Sequence, residues 1–99
     1  MYEIKYDNMF WMDLREVLQA IAEVSRSQRS VEKWAGKFIE AVESLSFMPY
    51  RSSMLPYRPS LYSVRVGKYK IFYSIVEIVK EVHVHRLVLG RRNLAGLFA

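Results

Sequence analysis

The hydrophobic spacing of this chain has a helical period between residue 8 and about residue 47, and it alternates every two residues after residue 61. The first part contains two amphipathic patterns, which predict one helix over residues 8–25 and a second helix from the polar turn at 25–30 to about residue 47. Asp7 or Asn8 is predicted to cap the first helix, and Pro49 ends the second. Asp13 falls on the predicted polar face of the first helix. The predicted apolar stripes are Trp11, Leu14, Leu18, Ile21 and Ala22 in the first helix and Val31, Trp34, Ala35, Phe38, Ala41, Val42 and Leu45 in the second. A connection this short predicts an antiparallel helical hairpin.

Strand patterns lie on both sides of this hairpin. One covers residues 2–6, and three more cover residues 61–66, 69–76 and 80–89, with all three prolines in the extended loop at 49–60. Short turns, including Gly67-Lys68, predict that the last three strands form an antiparallel meander. The predicted class is α+β: a single domain over residues 1–99, in which an N-terminal strand and a helical hairpin accompany a mainly antiparallel four-stranded sheet. The hairpin should cover one sheet face, and residues 91–98 are compatible with a short C-terminal helix.

The strand at 69–76 raises a question about the second sheet face. Tyr69, Ile71, Tyr73 and Ile75 alternate onto one face, which we expect to pack under the helices. Lys70 and Phe72 alternate onto the opposite face, which is then predicted to be free. Lys70 would join Ser63 and Arg65 there only in one pairing register, and the sequence does not specify the register.

Charge is distributed unevenly along the chain. Fifteen Lys and Arg oppose ten Asp and Glu, which gives a net charge of +5. Nine of those cations lie between residues 50 and 99, where Glu77 and Glu81 are the only acids. Such a balance favours anionic partners, although a merely solvated basic surface is the simpler alternative.

Other functional classes are disfavoured by composition. The chain has no cysteine, which excludes a disulfide framework and thiolate metal sites, and we expect neither a metal nor a cofactor. It shows no apolar run of about 18 residues and no N-terminal signal pattern. We therefore expect a cytoplasmic protein without a membrane partner.

Two strand motifs carry a family resemblance. VRVGKYKIFYSI is followed by VHRLVLGRRNL, after the helical segments DLREVLQAIAEV and KFIEAVESL and an initial YEIKY. In this order they resemble the RelE/ParE superfamily of toxins over nearly the whole chain. The resemblance implies a helical hairpin packed on a twisted antiparallel sheet. It also implies a type II toxin–antitoxin module, of the plasmid-stabilising kind, in which a cognate antitoxin holds the toxin inactive in a hetero-oligomer.

The superfamily has two main activities. RelE-like members cut mRNA in the ribosomal decoding site, whereas ParE-like members poison DNA gyrase and lack the nuclease residues. By motif, three basic nuclease positions correspond to Arg65, Lys70 and Arg92. Ser63 stands where the nuclease branch has a lysine, and Phe98, or a neighbour, stands where it has a tyrosine. Phe98 cannot act as a general base.

These departures, together with the length of the hairpin, favour the ParE-like branch. Leu89 also replaces a histidine that many relatives carry before Gly-Arg-Arg. The residues predicted to bind the target are Arg65, Lys70, Arg86, Arg91 and Arg92. The alternative is a RelE-like ribosome-dependent endoribonuclease that would use Arg65, Lys70, Arg92 and His85. A third reading is a degenerate member that binds only its antitoxin.

The remaining candidate residues are histidines and exposed aromatics. His83 and His85 are two residues apart on one strand and therefore share a face; we favour a structural role for them over acid–base chemistry, and no third metal ligand is apparent. Trp11 and Trp34 are expected in the core. The loop residues that are predicted to bind the antitoxin, or to cover a sheet edge, are Tyr50, Met54, Leu55 and Tyr57.

Overall fold

The computed structural model describes residues 1–52, 54–55 and 58–90. Within them the chain forms β1 (Glu3–Tyr6), α1 (Asn8–Ser25), α2 (Gln28–Ser44), β2 (Met54–Leu55), β3 (Arg58–Val66), β4 (Tyr69–Val76), a 3₁₀ turn (Glu77–Val79) and β5 (Glu81–Leu89). The two helices and four of the strands follow the predicted order. The short strand β2 lies in the segment predicted as a loop. The terminal helix predicted at 91–98 lies outside the described residues.

Local capping explains the helical hairpin. The side chain of Asp7 accepts a hydrogen bond from the Met9 amide at 2.9 Å and begins α1. Arg26 adopts a left-handed conformation, and its amide donates to the Ala22 carbonyl, which ends α1. The Ser27 side chain then accepts from the Ser30 amide and begins α2. The polar turn therefore closes one helix and opens the next within a few residues.

In the described part of the chain the sheet has five strands in the order β1-β5-β4-β3-β2, one more than predicted. β1 pairs with β5 in parallel, and the other pairs are antiparallel. The α+β class is confirmed, but the sheet is mixed. Gly67, with φ of 60°, occupies the tight turn between β3 and β4. This turn sets a register in which Arg65 lies opposite Lys70.

The core lies between the helices and one sheet face, as predicted. Tyr69 packs against Phe38 and Trp34, with ring centroids 5.3 and 5.6 Å apart, and Tyr73 is fully buried. The fully buried residues of this cluster are Phe10, Phe38, Val42, Leu45, Ile71, Tyr73, Val82 and Val84.

The predicted stripe of α1 is partly wrong. Trp11 is 44% exposed and Ala22 is exposed, whereas Phe10 and Asp13 are buried. The helix is rotated about its axis relative to the prediction. Phe10 fills the core, whereas Trp11 lies outside the core with its ring centroid 4.6 Å from that of Tyr6. Leu14 and Leu18 remain partly buried against the core. Trp34 is also only partly buried.

The opposite sheet face is not wholly free. Leu61, Phe72 and Val88 form a second buried cluster there, and Leu55 of β2 packs against it. The prediction of an open face is therefore wrong in the centre of the sheet, because apolar side chains from three neighbouring strands bury one another. The polar residues lie around this cluster.

Candidate functional site

Arg65 and Lys70 lie directly opposite each other on β3 and β4. Within the described residues neither side chain has a hydrogen bond or an ion pair. Like charges placed opposite each other across two strands destabilise a sheet. The pair therefore does not stabilise the fold, and its unneutralised charge is available to an anionic ligand.

Arg65 also lines a cleft between α2 and β3. The cleft has a volume of about 320 Å³ and is lined by Lys37, Glu40, Ala41, Ser44, Arg51, Arg65 and Val66. Its lining includes three cationic residues, one each from a helix, a linker and a strand. Sequence reasoning grouped Arg65 with Lys70 but missed Lys37 and Arg51, because only the packing of α2 beside β3 brings them together.

Arg86 is held by a buried carboxylate. Its Nε donates to Asp13 Oδ2 at 2.7 Å and its Nη2 to Oδ1 at 3.1 Å, while the Leu87 amide also donates to Oδ2 at 3.0 Å. The hydrogen bonds to Asp13 raise the pKa of Arg86. The side chains of Arg86 and Asp13 are only 15% and 6% exposed. The structure thus engages Arg86 within the fold, whereas Arg65 is exposed, Lys70 is partly buried, and neither has a described partner.

The position of Asp13 follows from the sheet topology. The pairing of β1 with β5 ends at Tyr6 and Val84, so beyond Val84 no described strand lies beside this edge of β5. α1 crosses this edge, and Asp13 accepts the Leu87 amide that a longer β1 would have bonded. The sequence pattern put Asp13 on the solvent side, because helical periodicity does not reveal a partner 73 residues away.

The two histidines have separate partners. His83 Nε2 lies 2.9 Å from Glu81 Oε1. His85 Nε2 lies 2.8 Å from Ser74 Oγ, and its Nδ1 lies 3.8 Å from Asp7 Oδ2. Among the described residues, no group of three or more His, Cys, Asp or Glu side chains could hold a metal ion.

The predicted apolar loop is organised by an exposed, hydrogen-bonded tyrosine cluster that sequence reasoning missed. Tyr50 and Tyr2 each donate to Glu77 Oε2 at 2.7 Å, and Lys80 forms an ion pair with the same carboxylate. Hydrogen bonds from Lys80, Tyr2 and Tyr50 lower the pKa of Glu77 to about 2. The hydrogen bond to Glu77 raises the pKa of Tyr50 to about 12.

This cluster anchors Tyr50 but leaves it accessible. Tyr50 and Met54 are each 52% exposed, whereas Leu55 is partly buried on the second cluster. Among the predicted antitoxin-binding residues, Tyr50 and Met54 are thus accessible to a partner. Tyr57 lies outside the described residues, as do Arg91, Arg92 and Phe98. In the described part of the chain, neither helix combines the length and apolar character needed to cross a bilayer.

The described chain combines a helical hairpin on one face of a mixed sheet with two cations that have no described partner. No protein-family model and no curated protein matches the sequence. Solved structures do match. A chain of the chromosomal ParDE toxin–antitoxin system from P. aeruginosa is 15% identical, with a TM-score of 0.75 over 90% of this chain and 96% of that chain.

Two structures from Rel toxin–antitoxin systems also match over most of this chain and most of their own. The RelBE2 toxin–antitoxin complex from Mycobacterium tuberculosis is 20% identical, with a TM-score of 0.65 over 89% of this chain and 96% of that one. The isolated E. coli RelE toxin is 15% identical, with a TM-score of 0.61 over 98% of this chain and 93% of that one. The chain therefore has the fold of the RelE/ParE toxins.

Proposed function

We propose that this chain is the toxin of a type II toxin–antitoxin module, that it is ParE-like, and that it arrests growth by binding DNA gyrase. The RelE/ParE fold and the strand motifs support the superfamily. The larger structural overlap with the ParDE chain, at a TM-score of 0.75 against 0.65 and 0.61, supports the branch.

One observation carries the choice of a binding function. Arg65 and Lys70 stand side by side without a described partner, while His83 and His85 are hydrogen-bonded to Glu81 and Ser74. Cleavage of RNA through its 2′-hydroxyl needs a general base within hydrogen-bond reach of that hydroxyl. A surface that only binds needs charge and shape, and Arg65 and Lys70 supply charge there without a proton-transfer group.

The test is a pair of assays on one preparation. We expect the purified chain to inhibit supercoiling by gyrase and to leave mRNA on a programmed ribosome uncut. Lys70→Glu should weaken inhibition strongly, whereas Lys70→Arg should be mild because the charge is kept. Arg29→Glu makes the same charge change at an exposed position of α2 and is the matched control. Inhibition that is absent in the wild type, or equal in Lys70→Glu and Arg29→Glu, would refute this function or this surface respectively.

A RelE-like endoribonuclease is the second candidate, and the environment of His85 favours it. Asp7 Oδ2 lies 3.8 Å from Nδ1 and Ser74 Oγ lies 2.8 Å from Nε2, and the tautomer that carries its proton on Nδ1 has Nε2 as an acceptor. Ribosome-dependent cleavage that disappears in His85→Gln and in Arg92→Ala, without any effect on gyrase, would establish this candidate instead.

The proposed antitoxin contact concerns Tyr50, Met54, Leu55 and Tyr57. We expect the product of the adjacent gene to bind tightly and to lose affinity as salt rises, because the chain carries a net charge of +5. Calorimetric titration at low and high salt measures this. Binding of that product by a chain that affects neither gyrase nor ribosomes would identify a degenerate member that binds only its antitoxin.

A further inference from the structure

We propose that Ser74 is a nucleophile that accepts acyl groups from small activated esters, with His85 as its general base and Asp7 as a positioning residue. The three residues come from β4, from β5 and from the end of β1, which are neighbours in the sheet. This activity is separate from the proposed contact with gyrase, because its ligand is a small electrophile and its chemistry is covalent.

The three side chains place a hydroxyl, an imidazole and a carboxylate in series. Ser74 Oγ lies 2.8 Å from His85 Nε2, and on the other side of the ring Nδ1 lies 3.8 Å from Asp7 Oδ2. A nucleophilic hydroxyl needs a base within hydrogen-bond reach, and the base needs a third group that orients it. The first contact is a hydrogen bond. The second is longer than one, and catalytic contacts are often this loose before a substrate binds.

A β-bulge gives His85 its position. Phe72 pairs with Arg86 and Tyr73 pairs with Val84, so β5 has one extra residue between these two pairs, and that residue is His85. Bulges re-aim side chains and are common next to active sites. Here the imidazole of the extra residue reaches across to β4 and meets the serine hydroxyl. The irregularity in the strand pairing thus coincides with the contact that would activate the nucleophile.

The carboxylate of Asp7 is fixed by its role as the cap of α1. Its Oδ1 accepts a hydrogen bond from the Met9 amide at 2.9 Å, which leaves Oδ2 for the imidazole. A small reagent can reach the site, because the side chains of His85 and Asp7 are 30% and 46% exposed and Ser74 is only partly buried. The three groups are therefore held in place and open to solvent.

The reaction is an acyl transfer in two steps. Ser74 Oγ bonds to the carbonyl carbon of the ester while its proton passes to His85 Nε2, and the phenol of the ester then leaves with that proton. In the second step water attacks the acyl-serine, releases the carboxylic acid and restores the hydroxyl. A nitrophenyl ester suits the site, because its leaving group departs with little help from an acid.

The tautomer of His85 is the first test, and it needs no substitution. Ser74 is activated only if Nε2 accepts its proton, so the neutral ring must carry its own proton on Nδ1, on the side of Asp7. Long-range proton–nitrogen NMR correlations of the wild-type chain distinguish the two tautomers. We expect Nδ1 to be protonated. A ring protonated on Nε2 would donate to the serine and would overturn the proposal.

The second test measures where and how fast an acyl group is attached. The wild-type chain is treated with p-nitrophenyl acetate at neutral pH, quenched, digested and read by mass spectrometry. Ser63 is the internal control, because it also lies in the sheet, opposite Phe72, and has no hydrogen bond among the described residues. We expect acetylation of Ser74 to be about 10²-fold faster than that of Ser63, the lower end of what general base catalysis contributes.

Variants then assign the roles. His85→Gln should slow acetylation of Ser74 by about 10²-fold. His83→Gln is the matched control, since that imidazole contacts Glu81 and not a serine. Asp7→Asn keeps a good helix cap, so it should leave the fold intact while it shifts the His85 tautomer towards Nε2 and slows acetylation.

Two outcomes of the labelling would refute the site. They are equal acetylation of Ser74 and Ser63 in the wild type, and equal rates at Ser74 in His83→Gln and His85→Gln. Circular dichroism melts confirm that the variants are folded, and the tautomer and the comparison of the two serines do not depend on any variant. Supercoiling is not measured in these experiments, so failure of this site leaves the gyrase proposal unaffected.

Discussion

The buried pair of Asp13 and Arg86 allows a stability prediction with a definite magnitude. Asp13 is 5% exposed and accepts three hydrogen bonds, two from the Arg86 guanidinium and one from the Leu87 amide. Asp13→Ala removes both acceptor oxygens, and with them all three hydrogen bonds, and leaves a guanidinium that is 15% exposed without its carboxylate. Breaking one partner of a buried pair costs about 3–5 kcal/mol, including the unpaired amide.

A loss of this size is large for a chain of 99 residues. The total free energy of unfolding of such a domain is about 5–15 kcal/mol, and 1 kcal/mol shifts the melting temperature by roughly 4–8 °C. We therefore expect Asp13→Ala to lower the melting temperature by at least about 12 °C. Urea denaturation followed by circular dichroism measures the free energy directly. Glu23→Ala removes the same charge from an exposed position of α1 and should change stability by less than about 0.5 kcal/mol.

The double variant separates the ion pair from the amide contact. Asp13→Leu combined with Arg86→Met replaces two charges by apolar groups, so the penalty of the unpaired guanidinium disappears. We expect the double variant to be less destabilised than the sum of the two single variants, with the lost Leu87 contact as the remaining cost. A loss below about 1 kcal/mol in Asp13→Ala, or strict additivity in the cycle, would refute the assignment of Asp13 as the residue that closes the β5 edge.

Three further predictions concern the fold. Phe38→Ala should cost about 3–5 kcal/mol in a denaturation curve because Phe38 is fully buried, whereas Phe47→Ala, at a position 68% exposed, should be nearly neutral. Gly67→Ala should destabilise the fold by more than about 1 kcal/mol, because φ is 60° and a Cβ would come within 2.7 Å of the Trp34 ring. Gly36→Ala in α2 should stabilise the fold by about 0.5–1 kcal/mol, because a Cβ there meets nothing within 4 Å. The Glu77 carboxylate should titrate near pH 2 in an NMR experiment. Its contribution to the free energy of unfolding is therefore complete above its ordinary pKa of 4.5 and is lost as the pH falls towards 2. A midpoint near 4.5 would contradict the hydrogen bonds of the tyrosine cluster.

Local signals in the sequence were sufficient for most of the fold. The hydrophobic period located α1 at its observed bounds, and Asp7 caps it as a short polar acceptor should. Gly67 marked the hairpin turn, because few other residues adopt a positive φ there without strain. The alternation over 69–76 correctly placed Tyr69 and Tyr73 under the helices. Each of these features depends on residues close together in the chain.

The features that could not be predicted depend on residues far apart. Asp13 was assigned to solvent because its partners Arg86 and Leu87 are more than 70 positions away. β2 was missed because two residues are too few to show a hydrophobic period. Its strand conformation depends on pairing with β3, which the sequence does not reveal. Phe72 was assigned to an open face, although Leu61 and Val88 on neighbouring strands bury it. The register that brings Arg65 opposite Lys70 likewise needed the structure.

Five cations of the C-terminal half fall into two groups with different physical consequences. Arg86 and Lys80 each bond a carboxylate of the fold, Asp13 and Glu77 respectively. Arg51, Arg65 and Lys70 have no such partner among the described residues. Substitution in the first group should change the free energy of unfolding, because a carboxylate is left unpaired. Substitution in the second should leave stability unchanged or raise it slightly, since like-charge repulsion is relieved. A cation whose removal leaves stability intact but abolishes ligand binding is one retained for a partner, and we expect that behaviour of Arg51, Arg65 and Lys70.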